Sequence, residues 1–116
     1  MKIGIIGSRT FTDYEKLKNT MSFFDLRLYE TVTIVSGGAK GADTLAEQYA
    51  KDYGYLTEVY PADWDTYGKR AGYLRNITIV ENSDVIVAYW DGKSKGTCHS
   101  LKLARDMKKP SFIIYI

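Results

Sequence analysis

Five short apolar runs alternate along the chain with four stretches of helical periodicity, and this alternation limits the fold more than any other feature. The runs predict buried strands over residues 2–7, 31–35, 56–60, 84–90 and 111–116. Strands that alternate with helices need crossover connections, which make the sheet parallel. The chain therefore predicts one α/β domain, residues 1–116, with helices on both faces of a five-stranded parallel sheet.

The helical stretches carry apolar side chains three and four residues apart. The first is predicted to begin at a cap formed by Thr12 or Asp13, with the apolar stripe Tyr14, Leu17, Met21, Phe24 and Leu28. The second covers residues 42–53 and ends before Gly54. A polar and aromatic loop over residues 62–72 leads into the third, and Thr97 caps or opens the fourth.

A stretch of small residues at positions 35–44, Val-Ser-Gly-Gly-Ala-Lys-Gly-Ala-Asp-Thr, joins the second strand to the second helix. The backbone of such a turn can approach a ligand closely, and its N–H groups lie at the positive end of the helix dipole. The pattern favours an anion site, most often one for phosphate. It matches neither the P-loop nor the dinucleotide fingerprint, so a tight connection without a ligand is the alternative.

Distinctive polar turns follow the first four strands, and the carboxyl ends of parallel strands share one edge of the sheet. Ligands of open α/β sheets bind at that edge, where the strand order reverses. We therefore expect these turns to form one ligand site. Its candidate ligand-binding residues are Gly7, Ser8, Arg9, Gly37, Gly38, Ala39, Lys40, Gly41, Asp43, Trp64, Arg75, Asn76, Trp90, Asp91, Gly92, Ser94, Gly96 and Thr97.

Three charged members of this set have two readings each. Arg9 either grips a phosphate through its guanidinium or is an ordinary surface residue of a loop. Arg75 either reaches into the site or pairs with a nearby carboxylate. Asp43 either caps the second helix or accepts ribose hydroxyls, and the cap is favoured.

The aromatic and acidic candidates are equally open. Trp64 and Trp90 either stack on a base or pack inside the fold. Arg75, Asp63 and Asp91 are the candidates for a catalytic role, and the sequence does not choose among them.

Composition argues against several classes of protein. Sixteen basic and 14 acidic residues give a formal net charge of +2, which is too weak a bias to predict nucleic acid as a partner. The neighbours Cys98 and His99 are the one cysteine and the one histidine, so neither an internal disulfide nor a metal site is expected. With no signal peptide and no membrane-spanning run, we expect a cytoplasmic protein without a membrane partner.

Five motifs occur in order along the chain: Gly7-Ser8-Arg9, Ser36-Gly37-Gly38-Ala39-Lys40-Gly41-Ala42-Asp43, Pro61-Ala62-Asp63-Trp64, Arg75-Asn76, and Trp90-Asp91-Gly92-Lys93-Ser94-Lys95-Gly96-Thr97. The set resembles the SLOG superfamily, and more narrowly its small single-domain YspA-like (cpYpsA-related) branch. The resemblance implies a Rossmann-like three-layer sandwich with strand order 3-2-1-4-5 and a nucleotide-derived ligand. Relatives in the superfamily include cytokinin-activating phosphoribohydrolases, single-strand DNA-binding proteins of transformation and sensors of ADP-ribose-type signals.

The chain departs from the phosphoribohydrolase pattern, Pro-Gly-Gly-x-Gly-Thr-x-x-Glu after the fourth strand. Arg75 matches those enzymes, but Ser100 stands at the glutamate position and cannot supply a carboxylate's charge. We therefore expect a sensing or sequestering module that binds a phosphorylated nucleoside or nucleotide derivative, ADP-ribose-like or NAD-related, with no certain cofactor. Hydrolase-like N-glycosidic cleavage is the first alternative, and single-stranded DNA binding is the second.

Self-association is a further expectation. Tyr14, Phe23, Phe24 and Tyr29 are more aromatic residues than one inner helix stripe needs. Apolar surface of that kind is often covered by a second copy. The alternative is that Phe23 or Tyr29 wraps onto the edge of the sheet.

Overall fold

The computed structural model describes residues 1–116 and shows five strands, five α-helices and two 3-10 turns. The strands are β1 Lys2–Gly7, β2 Thr33–Ser36, β3 Leu56–Val59, β4 Val85–Trp90 and β5 Ser111–Tyr115. The helices are α1 Tyr14–Met21, α2 Ala42–Tyr53, α3 Trp64–Tyr67, α4 Ala71–Glu81 and α5 Lys95–Asp106, and the 3-10 turns are Leu26–Leu28 and Gly68–Arg70. None of the helices combines the length and the apolar character needed to cross a bilayer.

All strands of the sheet run parallel in the order β3-β2-β1-β4-β5, which confirms the predicted topology. Ile3 of β1 lies opposite Ile34 of β2 and Val85 of β4, and these pairs set the register at the centre of the sheet. The strand order reverses between β1 and β4. At such a switch point the two flanking connections leave toward opposite faces, and a crevice opens at the carboxyl ends of the strands.

Alternate side chains of the strands bury two separate cores, one on each face of the sheet. Ile5 faces α1 and α2, where Leu17 and Tyr49 pack in the same core. Its neighbour Ile6 faces the opposite side and packs in a core with Ile79 of α4. The molecule is therefore the three-layer sandwich that the alternation of strands and helices predicts.

Helix α1 is shorter than the periodicity predicts. It begins after Asp13, whose carboxylate accepts the N–H of Lys16 at 3.0 Å, and it ends at Met21. The chain then forms a 3-10 turn, which has three residues per turn rather than 3.6. That change of period buries Leu26 and leaves Leu28 75% exposed, so the predicted place of Leu28 in the apolar stripe is wrong.

Two further boundaries differ from those predicted. The segment 62–72, predicted as a loop, contains α3, because Asp63 accepts the N–H of Thr66 at 3.1 Å and caps it. Helix α5 begins at Lys95, two residues before Thr97, because Ser94 is its N-cap. In both places a side-chain cap decides where the helix starts.

Candidate functional site

A cavity of about 430 Å³ lies at the carboxyl edge of the sheet, over the switch point between β1 and β4. We call it the cleft. Its walls come from the turns after β1, β2 and β4 and from the segment that contains α3 and the start of α4. The predicted site residues that line it are Gly7, Ser8, Arg9, Ala39, Asp43, Trp64, Arg75, Asn76, Asp91, Ser94, Gly96 and Thr97.

Ser8 holds the turns of the cleft together. Its N–H donates to the carbonyl of Tyr89 at 3.0 Å, and its own carbonyl accepts the N–H of Ala42 at 3.3 Å. Its hydroxyl oxygen accepts the N–H of Asp91 at 3.2 Å. Because Ser8 is only 2% exposed, these bonds are shielded from water and fix three elements at one point.

The turn between β4 and α5 is built on Asp91. One carboxylate oxygen of Asp91 accepts the N–H groups of both Lys93 and Ser94 at 2.8 Å. These bonds favour the ionised form, so they lower the pKa of Asp91 below its ordinary value of 3.8. A carboxylate with so low a pKa is a poor proton acceptor near neutral pH, which weakens Asp91 as a general base.

A chain of hydrogen bonds crosses the cleft from the β2–α2 turn to α5. The guanidinium of Arg75 donates from Nη1 to the carbonyl of Gly37 at 2.7 Å and from Nε to Oδ1 of Asn76 at 3.1 Å. The amide of Asn76 then donates to the carbonyl of Gly96 at 3.4 Å. Arg75 and Asn76 therefore join two walls of the cleft through α4.

Asp43 lies beside this chain in the first turn of α2 and is 9% exposed. Its Oδ2 accepts the N–H of Ala39 at 3.1 Å, so Asp43 supports its own turn from within. Burial raises the pKa of Asp43, although the backbone bond and the charge of Arg75 both act against that shift. Burial also lowers the pKa of Arg75. The predicted cap role of Asp43 is wrong, because Gly41 is the N-cap of α2 and no side chain caps the helix. Arg75 reaches the cleft and forms no ion pair. The bonds show both side chains as supports of the β2–α2 turn.

His99 braces the outer wall of the cleft. Its Nδ1 lies 3.2 Å from the amide nitrogen of Asn76, and its ring meets the ring of Tyr73 edge to face at 4.7 Å between centroids. Burial, with a contribution from the charge of Lys102, lowers the pKa of His99 below 6.5. The neutral ring can accept the bond from Asn76 while it holds Tyr73, whose side chain is 54% exposed.

Several predicted ligand-binding residues lie outside the lining of the cleft: Gly37, Gly38, Lys40, Gly41, Trp90 and Gly92. Gly37 is buried against the guanidinium of Arg75. Gly38 has a φ of +71°, and a Cβ there would point toward Val59 and Pro61 on the β3 side. The backbone conformation of the turn thus directs part of the glycine-rich stretch away from the cleft.

Two of the predicted site side chains, those of Trp90 and Asp63, form hydrogen bonds within their own segments and do not line the cleft. The indole N–H of Trp90 donates to the carbonyl of Ser94 at 3.1 Å and supports the β4–α5 turn. Asp63, a candidate for a catalytic role, is the N-cap of α3 and lies outside the cleft lining.

The sequence reasoning missed the following residues that line the cleft: Ile6, Thr10, Lys69, Gly72, Tyr73, Ile79 and Ser100. Lys69 and Tyr73 carry the most information, because both are exposed and offer a cation and an aromatic ring. A signal was available, since cations interleave with aromatic residues over positions 64–73. Such interleaving is typical of surfaces on which unpaired bases stack.

Most carboxylates at this edge accept backbone N–H groups, whereas the cations there form no ion pairs. Four carboxylates of the edge, those of Asp13, Asp43, Asp63 and Asp91, accept backbone N–H groups. Asp65 is the fifth carboxylate of these turns. Seven cations lie in the same region, and none belongs to an ion pair: Arg9, Lys40, Lys69, Arg70, Arg75, Lys93 and Lys95.

A family model confirms the predicted resemblance, and a second comparison of sequence finds a phage relative. The model of a family described as YspA, cpYpsA-related SLOG family matches residues 1–67. The chain is also similar to the Gene 61 protein of Mycobacterium phage D29, with 34% identity over 110 residues. That match covers 90% of this chain and 88% of the phage protein.

Among solved structures, the chain is similar to DNA processing protein A from Helicobacter pylori, whose structure describes a single-stranded DNA binding mode. The TM-score is 0.70 and the sequence identity is 26%. The match covers 97% of this chain and 64% of that chain, so this chain spans less than two thirds of the solved protein. The likeness confirms the Rossmann-like fold.

The same likeness overturns two expectations. We expected a sensing or sequestering module that holds an ADP-ribose-like or NAD-related nucleotide derivative. That expectation is wrong, because the similar solved protein binds single-stranded DNA. Neither the match to that structure nor the match to the phage protein points to a small nucleotide. The expectation that nucleic acid is not a partner is wrong for the same reason. A net charge gives no information on where the cations lie, and the structure brings seven of them to one edge. The expected homo-oligomer gains no support from the comparisons.

Proposed function

The chain belongs to the YspA, cpYpsA-related SLOG family, and on that premise we propose that it binds single-stranded DNA in the cleft. One observation carries the proposal: the cleft brings the exposed aromatic rings of Trp64 and Tyr73 together with the unpaired cations of Arg9 and Lys69. The likeness to DNA processing protein A, a single-stranded DNA binder, supports DNA as the nucleic acid.

The aromatic rings supply the contact to bases. Trp64 and Tyr73 are 51% and 54% exposed, which is unusual for large rings that line a cavity. Stacking of a base on such a ring is worth about 1–3 kcal/mol and tolerates any sequence. The bases of a duplex are already stacked and paired, so this surface favours a single strand.

The cations supply the contact to the backbone. Arg9 lies in the turn after β1, and its planar guanidinium can hold two phosphate oxygens at once. Lys69 stands opposite, in the turn before α4, as a flexible point charge. Neither side chain has a protein partner that phosphate would need to displace.

A salt titration of binding tests the proposal. The anisotropy of a fluorescent oligothymidylate should rise on addition of the protein, and log Kobs should fall linearly with log salt. Arg9→Gln and Lys69→Gln should each weaken binding and reduce the slope by about 0.7, the share of one phosphate contact on a single strand. Lys51→Gln is the matched control, because it removes the same charge from the exposed C-terminal turn of α2, at the opposite edge.

Two outcomes would refute the proposal. The first is an anisotropy of the oligomer that stays unchanged on addition of the wild-type protein, even at low salt. Alternatively, Lys51→Gln could weaken binding as much as Arg9→Gln, which would show a general charge effect rather than a site.

A further inference from the structure

A second hollow lies next to the cleft, on the other side of the ridge formed by residues 64–70. We call it the side groove. It has a volume of about 560 Å³ and runs between the end of β3 and the outer face of α4. Its apolar part comes from Val59, Leu74 and Ile77, and Tyr67 and Arg70 stand on the ridge above it.

The ridge carries the same pair of groups on each side. Trp64 and Lys69 line the cleft, and Tyr67 and Arg70 line the side groove. Tyr67 is 52% exposed, as Trp64 is 51% exposed, so both rings offer a face to solvent. Arg75 lines both hollows, which are therefore adjacent.

The side groove is complementary to a polyanion. Its lining includes Arg70 and Arg75 and no carboxylate. The nearest acidic group along β3 is Glu58, which accepts the hydroxyl proton of Tyr60 at 2.8 Å and pairs with Lys2 at 2.6 Å. The charge of Glu58 is thus paired with Lys2, whereas Arg70 has no ion pair.

The spacing of Trp64 and Tyr67 along α3 suits consecutive nucleotides of one strand. Trp64 and Tyr67 are three residues apart in α3, which corresponds to a rise of about 4.5 Å along the helix. Successive phosphates of a DNA strand are separated by about 3.4 Å along the duplex axis and by more when the strand is extended. Neighbouring nucleotides of a strand that crosses from the cleft to the side groove can therefore reach the two rings.

We propose that the side groove is a second nucleotide subsite, in which the strand bound in the cleft continues over the ridge, stacks a base on Tyr67 and places a phosphate at Arg70. The inference rests on the proposed binding of single-stranded DNA in the cleft. It extends the site to residues outside the cleft, and it makes affinity depend on the length of the strand.

The test compares a thymidine trinucleotide, which the cleft alone can hold, with a decanucleotide. The double variant Tyr67→Ala, Arg70→Ala should bind the trinucleotide as the wild type does and the decanucleotide about tenfold more weakly. Tyr67→Phe keeps the ring and should bind both oligomers normally. The matched control is Tyr53→Ala, Arg105→Ala, which removes an equally exposed ring and a cation near the C-terminal ends of α2 and α5.

The outcomes separate this inference from the proposed function. If the wild type binds neither oligomer, the cleft itself is misassigned and both proposals fall. If the double variant binds the decanucleotide like the wild type, the side groove is not a subsite although the cleft binds DNA. Equal losses for both oligomers would also overturn the inference, because they would place Tyr67 and Arg70 in the cleft.

Discussion

The Nη1 of Arg75 donates to the carbonyl oxygen of Gly37 at 2.7 Å, across 38 residues of sequence. The bond ties α4 to the β2–α2 turn, and a second bond from Nε to Oδ1 of Asn76 fixes the orientation of the guanidinium. Arg75 is therefore chiefly a support for one wall of the cleft. The free cations Arg9 and Lys69 are better placed to meet phosphate.

Loss of the Arg75 side chain should destabilise the fold. Arg75→Gln removes the bond to Gly37 and leaves the buried Asp43 without a nearby countercharge. The free energy of unfolding should fall by about 2 kcal/mol, the usual range for a bond made by a charged group. Urea denaturation followed by circular dichroism measures it. An unchanged midpoint would show that the Arg75–Gly37 bond contributes nothing to stability.

Gly37 and Arg75 should be energetically coupled. A Cβ at Gly37 would touch the guanidinium of Arg75 and lie 2.9 Å from Oδ2 of Asp43. Gly37→Ala should therefore displace Arg75 and cost stability in the wild-type background, but cost about 1 kcal/mol less in the Arg75→Gln background. A double-mutant cycle of unfolding free energies gives this coupling, and strictly additive costs would contradict it.

A side chain at position 38 should lower the stability of the fold and leave DNA binding unchanged. Its φ of +71° disfavours any side chain, so Gly38→Ala should cost about 1 kcal/mol of stability. Gly54→Ala is the matched control, because Gly54 has a φ of +73° with open space around it. Both variants should bind oligothymidylate like the wild type after correction for the folded fraction. Weaker binding by Gly38→Ala alone would place this part of the turn against the DNA.

DNA binding should tighten as the pH falls from neutral through the raised pKa of Asp43. Protonation there removes a negative charge from the cleft wall, and thymine itself does not titrate in that range. Asp43→Asn should bind more tightly than the wild type at neutral pH and lose most of the pH dependence. His99→Gln is the control, because His99 also gains charge on acidification. If His99→Gln alone abolishes the pH dependence, Asp43 is not its source.

The carboxyl of Asp43 should also make the free energy of unfolding depend on pH. Because the folded pKa of Asp43 lies above the unfolded value, the folded state binds more protons between the two values. This contribution to stability is fully present below the unfolded pKa, and it is lost as the pH rises through the folded pKa. Asp43→Asn should flatten that part of the profile of unfolding free energy against pH. An identical profile in the variant would refute the raised pKa.

The two tryptophans should report DNA differently. Trp64 is 51% exposed in the cleft, whereas Trp90 is partly buried and bonded to Ser94. Stacking of thymine on Trp64 should quench the fluorescence of the wild type and of Trp90→Phe, but not that of Trp64→Phe. Quenching that persists in Trp64→Phe and disappears in Trp90→Phe would put the base elsewhere.

Local sequence signals were enough to predict the strands and helices and their order. Hydrophobic period and helix caps act over a few residues, so the strands, the bounds of α2 and the left-handed Gly54 that ends it could be read directly. The motifs indicated the family, and the resemblance to that family implied the strand order. The same local signals also predicted the edge that holds the cleft, because polar turns after parallel strands meet at one edge of the sheet.

Which of the side chains at that edge line the cleft could not be predicted from the sequence, because it depends on the tertiary packing. The φ of Gly38 turns part of the glycine-rich stretch away, and α3 with its 3-10 turn brings in Lys69, which a loop prediction could not orient. The bond of Arg75 to Gly37 and those of Ser8 to distant turns join residues far apart in sequence. Such contacts depend on how the layers pack, and a net charge or a local period carries no information about that packing.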